Sequence, residues 1–499
     1  MPHLLGIDLG TSSVKSTVID AETLHPVASA GREYPVHHPQ PGYAEQHPDD
    51  YWEAATHTVR EAVSAAAIHP ESIAGIGLSG QMHGTVCLGR DNRPLRPAII
   101  WADARSQVQV AQLVESHRRA PFQPADNPPG PPAAGFMAST LMWLAANEPD
   151  TITQMQTVVL PKDYLRLWLT GTVGTDISDA ASTWLLDVAR GRWSETLLAR
   201  CGLDRRYLPQ ITKSAEVVGT LTTDAAGALG LPAGIPVVAG CADQPAQALG
   251  YGLYAPGTAL VTVGTGGQVF LPLTSPNIDP DGRYYVFNHA VPERWYALAA
   301  MLSAGLSLRW LRDTLGLRDR PDAYAHLSTL AADVPPGSDG LVFLPYLAGE
   351  RTPHNDPAAS GVLLGLRLHH GTGHLARAVM EGVAFALADC LSLVGAVERV
   401  ILSGGATASP VWRQIIADVF EKPVHLTGGT NHAAVGAALL AAVGSGLYRS
   451  VAEACARLPQ AITTVAPREE GVSVYQARRP IYRELYPRLK DTMRCLGEG

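Results

Sequence analysis

Two stretches of the 499-residue chain combine glycine, hydroxyl and charged residues in a way that suits phosphate chemistry. The first is LLGIDLGTSSVKSTVID, Leu4 to Asp20. Asp8 lies at the mouth of a turn in which Gly10 lets a ligand approach the backbone closely. Exposed N–H groups and the hydroxyls of Thr11 and Ser12 can receive phosphate oxygens, and Lys15 is near enough to add charge. A carboxylate beside a phosphate suggests Mg2+. The second stretch, TALVTVGTGGQVFL from Thr258 to Leu271, repeats the idea half a chain later, around the glycine cluster Gly264, Thr265, Gly266 and Gly267. Each alone also reads as an ordinary hairpin. Their repetition favours two phosphate turns in two duplicated halves.

Other sets carry side chains suited to a small polar ligand. In SGQMHG, Ser79 to Gly84, Gln81 and His83 offer hydrogen bonds and Met82 an apolar wall, a mixture that suits a polyhydroxylated molecule. The same loop also reads as a glycine-flanked turn with a structural histidine. Asp103 and Arg105 can pair with each other or bind hydroxyls, with Trp101 covering a sugar face. Asp243 falls where the strand Ile235 to Ala239 turns into a helix, so it reads either as a helix cap or as a base at the carboxyl end of a strand. Gln244 beside it can bind a hydroxyl. Val400 to Leu402 run into Gly404 and Gly405, and Ser409-Pro410 is a strong helix start. Strand, double glycine and helix amino terminus together offer unpaired N–H groups to a nucleotide.

The elements that must position these residues follow from periodicity. Leu4, Leu5 and Ile7 alternate as one strand of the first hairpin, Val14 and Val18 as the other. A helix is expected from Pro48 to Ala67, capped by Asp49 or Asp50, with Trp52, Ala55, Val59, Ala62 and Ala66 on one face. Strands at Ile73 to Leu78 and Thr85 to Leu88 flank the SGQMHG loop. Phe122 to Gly135 is a proline-rich exposed loop and a candidate rim of the cleft. The segments 160–169 and 193–201 read as scaffold helices, and Leu375, Val379, Val383 and Leu387 as a core helix. Gly428 to Ala442 is a small-residue helix built for tight packing, near the cleft or simply against a neighbour.

Composition sets the bounds. A chain of this length, 46% hydrophobic, is too long for one core, and the expected division is 1–248 and 249–499. A net charge of −8 gives no electrostatic case for nucleic acid. No segment of about 18 uninterrupted apolar residues points to a membrane. Six scattered cysteines without metal-ligand spacing point to reduced thiols and a cytoplasmic protein. The oligomeric state is open, with a homodimer among the options.

Five motifs then occur in one order: IDLGTSSVK (7–15), SGQMHG (79–84), LPKDYLRLWLTG (160–171), FLPYLAGERTPHNDP (343–357) and the run from Gly361 to Glu381. In these the chain resembles the FGGY carbohydrate kinases over essentially its full length. The resemblance implies an α/β fold of two duplicated actin-like, ribonuclease H-like ATPase domains, with nucleotide and sugar in the cleft between them. It implies ATP and Mg2+, with Asp243 as general base and Asp8 holding the magnesium–nucleotide complex together with Asp243, through water. Gln81, Met82, His83, Asp103, Arg105, Asp243 and Gln244 would contact sugar. Thr11, Ser12, Lys15, Gly264, Thr265 and Gly266 would bind phosphates, and Gly404, Gly405 and Ser409 the rest of the nucleotide. The Gln-Met-His-Gly loop implies D-xylulose, phosphorylated to D-xylulose 5-phosphate, ahead of ribulose, L-xylulose or a pentitol such as arabinitol. An actin-like nucleotide-binding protein without sugar substrate is the reading of a different class. The chain departs from relatives in having Ala242-Asp243-Gln244 for Gly-Asp-Asn, Gly266-Gly267 for Ser-Gly, and Thr140 for a lysine.

Overall fold

The computed structural model describes residues 1–119, 126–458 and 463–497. Its first half is built on the expected hairpin of β1 (His3–Leu9) and β2 (Ser13–Asp20), extended by antiparallel β3 (Pro26–Glu33). On the other side β4 (Ile73–Gly80) runs parallel to β1. Beyond it lie β6 (Pro236–Val238), parallel, and β5 (Val217–Thr220), antiparallel, while β7 (Cys241–Ala242) continues alongside β4. In the second half the hairpin is β8 (Gly257–Val263) and β9 (Gly267–Leu273). It continues on one side into β11 (Trp295–Met301) and β10 (Tyr285–Asn288). On the other side it continues into β12 (Val397–Gly404), β13 (Val424–Leu426) and β14 (Thr463–Val465).

Outward from each hairpin, the neighbours repeat in kind. An antiparallel strand follows the hairpin's second strand; two parallel strands and then an antiparallel one follow its first. Both halves are the same α/β unit. Register brings the ends of the parallel strands level: Leu9 pairs with Gly80, Gly80 with Ala242, and Val263 with Gly404. Asp8, the SGQMHG loop, Asp243 and the turns at Gly264 and Gly404 therefore lie at the carboxyl edges of the two sheets, where α/β folds present ligands.

Helices cover the sheets. α1 (Pro48–Ala65) buries Tyr51, Ala54, Ala55, Thr58, Val59, Ala62 and Val63 against the first sheet. Its cap differs from expectation: His47 holds the cap position and Pro48 the first turn, leaving Asp49 and Asp50 inside that turn, where they complement the helix dipole. α2 (Pro161–Thr170) and α3 (Ile177–Ser182) precede α4 (Asp243–Gly250), which starts at the first sheet's edge. Around the second sheet lie α5 (Gly305–Thr314), α6 (Ala323–Ala332), α7 (Thr372–Val394) and α8 (Pro410–Phe420). α7 is the expected core helix. Of the loop expected at 122–135, residues 122–125 lie outside those described. The remainder is half-buried rather than exposed, with the Pro129 carbonyl accepting from Val286 N–H at 2.7 Å and that of Gly130 from Trp184 Nε1 at 2.8 Å.

The small-residue helix is α9 (His432–Gly444), and it crosses from the second half onto the first sheet. A Cβ on Gly6 or Gly77 would stand 1.9 Å from the carbonyl oxygens of Ala434 and Ala437 respectively. The helix backbone touches the strand backbone, and no side chain fits between. Gly77→Ala is expected to destabilise the fold by about 3 kcal/mol through overpacking. Thermal unfolding measures this, with a lowered transition temperature as the expected result and a wild-type one contradicting the contact.

Candidate active site

A cavity of about 430 Å³ opens between the halves. Asp8, Lys15, Asp243 and Gln244 line it from the first half, Ser403, Gly404, Thr407 and His432 from the second. Asp8 is the penultimate residue of β1, opposite Lys15 in the hairpin register, and accepts a 2.7 Å hydrogen bond from Ser79 Oγ. Burial raises its carboxyl above the usual range, opposed by Ser79 and Lys15. Asp243 is the first residue of α4, one past the cap position held by Ala242, and no side-chain bond caps that helix. Its carboxylate is thus left to the cavity. Burial and then the charge of Asp8 push Asp243 up to about 7, with Gln244 pulling the other way.

Two carboxylates on one cavity fit a divalent cation, which would relieve the repulsion that helps raise Asp243. Among the described residues no group of three or more His, Cys, Asp and Glu side chains forms a metal cage. Asp8 and Asp243 would therefore supply a minority of the ligands, leaving the others to phosphate and water, the usual sharing for magnesium.

On the cavity floor the residue after α4 meets the start of α9. Tyr251, just after α4, stacks on His432 at 3.8 Å between ring centroids, and its hydroxyl meets Ser403 Oγ at 2.8 Å. Neither residue carried a sequence signal, because both follow or begin helices that read as packing elements. A second cavity of about 500 Å³ lies in the second half, lined by Gly264, Thr265, Gly405 and Ser409 and by Tyr324 and Trp412 among others. Its walls from α5 and α6 were not visible in the sequence either, since their apolar faces look like core.

The glycine turns are fixed by backbone contacts. Gly404 has φ of 84°, and a Cβ there would lie 2.4 Å from the Val263 carbonyl oxygen. The carbonyl of Thr265 accepts from the N–H groups of Ala304 and Leu306, and that of Gly264 from Gly305. At Gly266 a Cβ would lie 2.8 Å from the Met301 carbonyl oxygen, so β11 sits where a serine would need room. Ser409 caps α8, accepting from Trp412 N–H at 3.2 Å, and meets Ser328 Oγ at 2.7 Å. In the first turn Thr11 Oγ1 accepts from Trp101 Nε1 at 2.8 Å while Ser12 is exposed.

The SGQMHG loop leaves β4 beside Asp243. His83 has φ of 70°, stacks on Phe136 at 3.9 Å, and donates from Nδ1 to the Ser182 carbonyl at 2.6 Å. Burial lowers its pKa to about 4, so the ring is neutral and Nε2 is left as an acceptor. Met82 is buried with its sulfur 3.9 Å from the Tyr296 hydroxyl. Gln81 is buried and donates from Nε2 to Gln46 Oε1 at 2.7 Å; Gln46 in turn donates to the Thr11 carbonyl at 2.5 Å. It ties the loop to the turn of the first hairpin. Asp103 and Arg105, expected at the sugar, are instead withdrawn from solvent and paired, with Arg105 Nη2 to Asp103 Oδ2 at 2.8 Å and to Glu45 at 2.7 Å. Arg105 also lies over the Tyr43 ring, so both are engaged structurally. Thr140 is buried, and its hydroxyl has no partner among the described residues.

Residues 3–250 match the N-terminal domain, and residues 259–445 the C-terminal domain, of the FGGY family of carbohydrate kinases. The chain belongs to that family. It is similar to a xylulose kinase of Escherichia coli (strain K12), 37% identical over 98% of this chain and 99% of the relative. The solved xylulose kinase from Rhodospirillum rubrum is 31% identical, with a TM-score of 0.90 over 98% of this chain and 99% of that one. A gluconate kinase from Lactobacillus acidophilus is 27% identical, with a TM-score of 0.91 over 98% of both chains. As a carbohydrate kinase the protein is an enzyme whose small-molecule substrates are a sugar and ATP. Among the described residues no helix is long and apolar enough to cross a membrane.

A carboxyl raised to about 7 binds a proton in the folded state that the unfolded chain gives up near 4, so its cost to stability appears as pH rises through that interval. Asp243→Asn is therefore expected to raise the unfolding temperature by several degrees at pH 8 and little at pH 4. Calorimetry of metal-free protein at both values checks this; equal shifts would contradict the buried, charge-opposed carboxylate.

Proposed function

We propose that the protein transfers the γ-phosphoryl group of ATP to the primary hydroxyl of D-xylulose, giving D-xylulose 5-phosphate. The cavity that sets Asp243 against groups from both halves carries the reading, and the similarity to xylulose kinases supports the acceptor. A sugar hydroxyl is a weak nucleophile, so a carboxylate must take its proton as phosphorus is attacked. Asp243, raised to about 7, is near the operating pH at which a general base works best. Magnesium, held through water by Asp8 and Asp243, would neutralise phosphate charge when bound. Lys15, Thr11, Ser12 and the turn Gly264 to Gly266 bind phosphates, and Gly404, Gly405 and Ser409 line the path of the nucleotide. His83 Nε2 and Gln244 pair with sugar hydroxyls while Met82 supplies an apolar wall. Asp103 and Arg105 act at one remove, bracing the segment from which Trp101 reaches Thr11. With the groups divided between halves, closure completes the site and shuts out water.

The similarity to a gluconate kinase is as close in fold, so the acceptor is decided by assay. Initial rates over D-xylulose, D-ribulose, L-ribulose, L-xylulose, arabinitol and D-gluconate are expected to rank D-xylulose first by at least about tenfold in kcat/KM. Another sugar at the head would overturn the acceptor and leave the kinase reading. Asp243→Ala is expected to lower turnover at least about a hundredfold, and near-normal turnover would remove Asp243 as the base.

A further inference from the structure

The backbone leading to Asp243 is held by side chains that have no place in the cavity. The Ala239 carbonyl accepts from Lys162 Nζ and Arg166 Nη1, both at 3.0 Å, and Gly240 N–H donates to the Ser214 carbonyl at 3.0 Å. Cys241 and Ala242 pair with β4, and the Ala242 N–H donates to Ser178 Oγ at 3.0 Å. Ser178 is fully buried and is the last side-chain contact before Asp243. Its hydroxyl is aimed by Asp176, to which it donates at 2.7 Å. Asp176 also caps α3, accepts from Ser214 Oγ at 2.7 Å, and pairs with Lys162 at 3.1 Å. Lys162 is itself wholly buried, with Asp163 at 2.8 Å and Asp179 at 3.3 Å. The other end of α3 serves the sugar loop: Ser182 Oγ accepts from His83 N–H at 3.1 Å and its carbonyl takes the ring Nδ1 proton. One short helix, anchored by one buried ion cluster, spans from the base to the sugar loop.

We propose that Ser178 is a positioning residue for the phosphoryl transfer, fixing through the Ala242 N–H the backbone from which Asp243 projects, in register with the loop that Ser182 holds. The inference rests on Asp243 being the base. Because the sugar loop keeps its own bond to Ser182, the loss of Ser178 displaces the base and leaves the bound sugar where it is. The deficit therefore belongs in kcat.

Ser178→Ala and Ser178→Cys separate this from a packing role, since cysteine keeps the volume but accepts a hydrogen bond poorly. Rates are taken per folded protein, measured by near-ultraviolet circular dichroism, and if the alanine variant does not fold the cysteine variant carries the test. Both are expected to lose about tenfold or more in kcat, as misplacement of a reacting group does, with KM for sugar and for ATP within about twofold of the parent. A cysteine variant with normal kcat, or a loss confined to KM, overturns the proposal. Asp243→Ala run in parallel keeps the two readings apart. If it is inactive while both Ser178 variants are normal, the base stands and the positioning role falls; if it is active, the base itself is lost.

Discussion

Asp8 and Asp243 repel one another and yet must face the same cavity, and much of the surrounding structure is explained by holding them there. Left to relax, two carboxylates in a half-buried site move apart or take up protons. Here the backbone of each is held by its strand. Asp8 lies one residue before the end of β1 and Asp243 follows β7, and both strands are in register with β4 between them. Their separation is set by sheet geometry, not by side-chain preference. Ser79 Oγ, one residue before the end of β4, satisfies one oxygen of Asp8, and Gln244 opposes the rise of Asp243. The strain stays in the site, as is usual where stability is given up for function.

Duplication explains how the second half meets this constraint. Each hairpin presents a glycine turn at the end of the same kind of strand, so two like sheets each offer a set of backbone donors at a carboxyl edge. In the second turn Gly264 and Thr265 are tied by three backbone bonds to the start of α5. The first is tied both by backbone bonds, from Tyr34 N–H to the Ser12 carbonyl and from Gln81 N–H to the Leu9 carbonyl, and by side chains, through Trp101, Gln46 and Gln81. Tyr251, just after α4, and His432, at the start of α9, stack on the cavity floor.

What the sequence revealed was local. Alternating apolar residues broken by Gly-Thr pairs marked both hairpins, Ser409-Pro410 marked the start of α8, and the strand before Asp243 marked its place at a sheet edge. What it hid depended on distant partners. Whether Asp103 and Arg105 face a sugar or each other is decided by Glu45 and Tyr43, which lie in another segment. That Gln81 Nε2 is taken by Gln46, leaving its buried Oε1 without a partner among the described residues, is likewise set by a distant segment. The cap of α1 was misplaced by two or three residues because Pro48 moves the boundary ahead of the acidic pair. Lys162, Asp163 and Arg166 stand in an apolar helical run and read as scaffold, since nothing nearby announces that Asp176 and Asp179 will close the cluster.

The contact of α9 with the first sheet has a consequence for synthesis. The strands of that sheet are complete by Ala242, whereas the helix that covers Gly6 and Gly77 ends at Gly444. At ribosomal speeds of about 5–20 residues per second, the ribosome needs roughly 10–40 s to make the intervening chain. Over that interval the nascent first half carries an open, glycine-floored face with no helix to fill it. The protein therefore matures last at the place where its chain began.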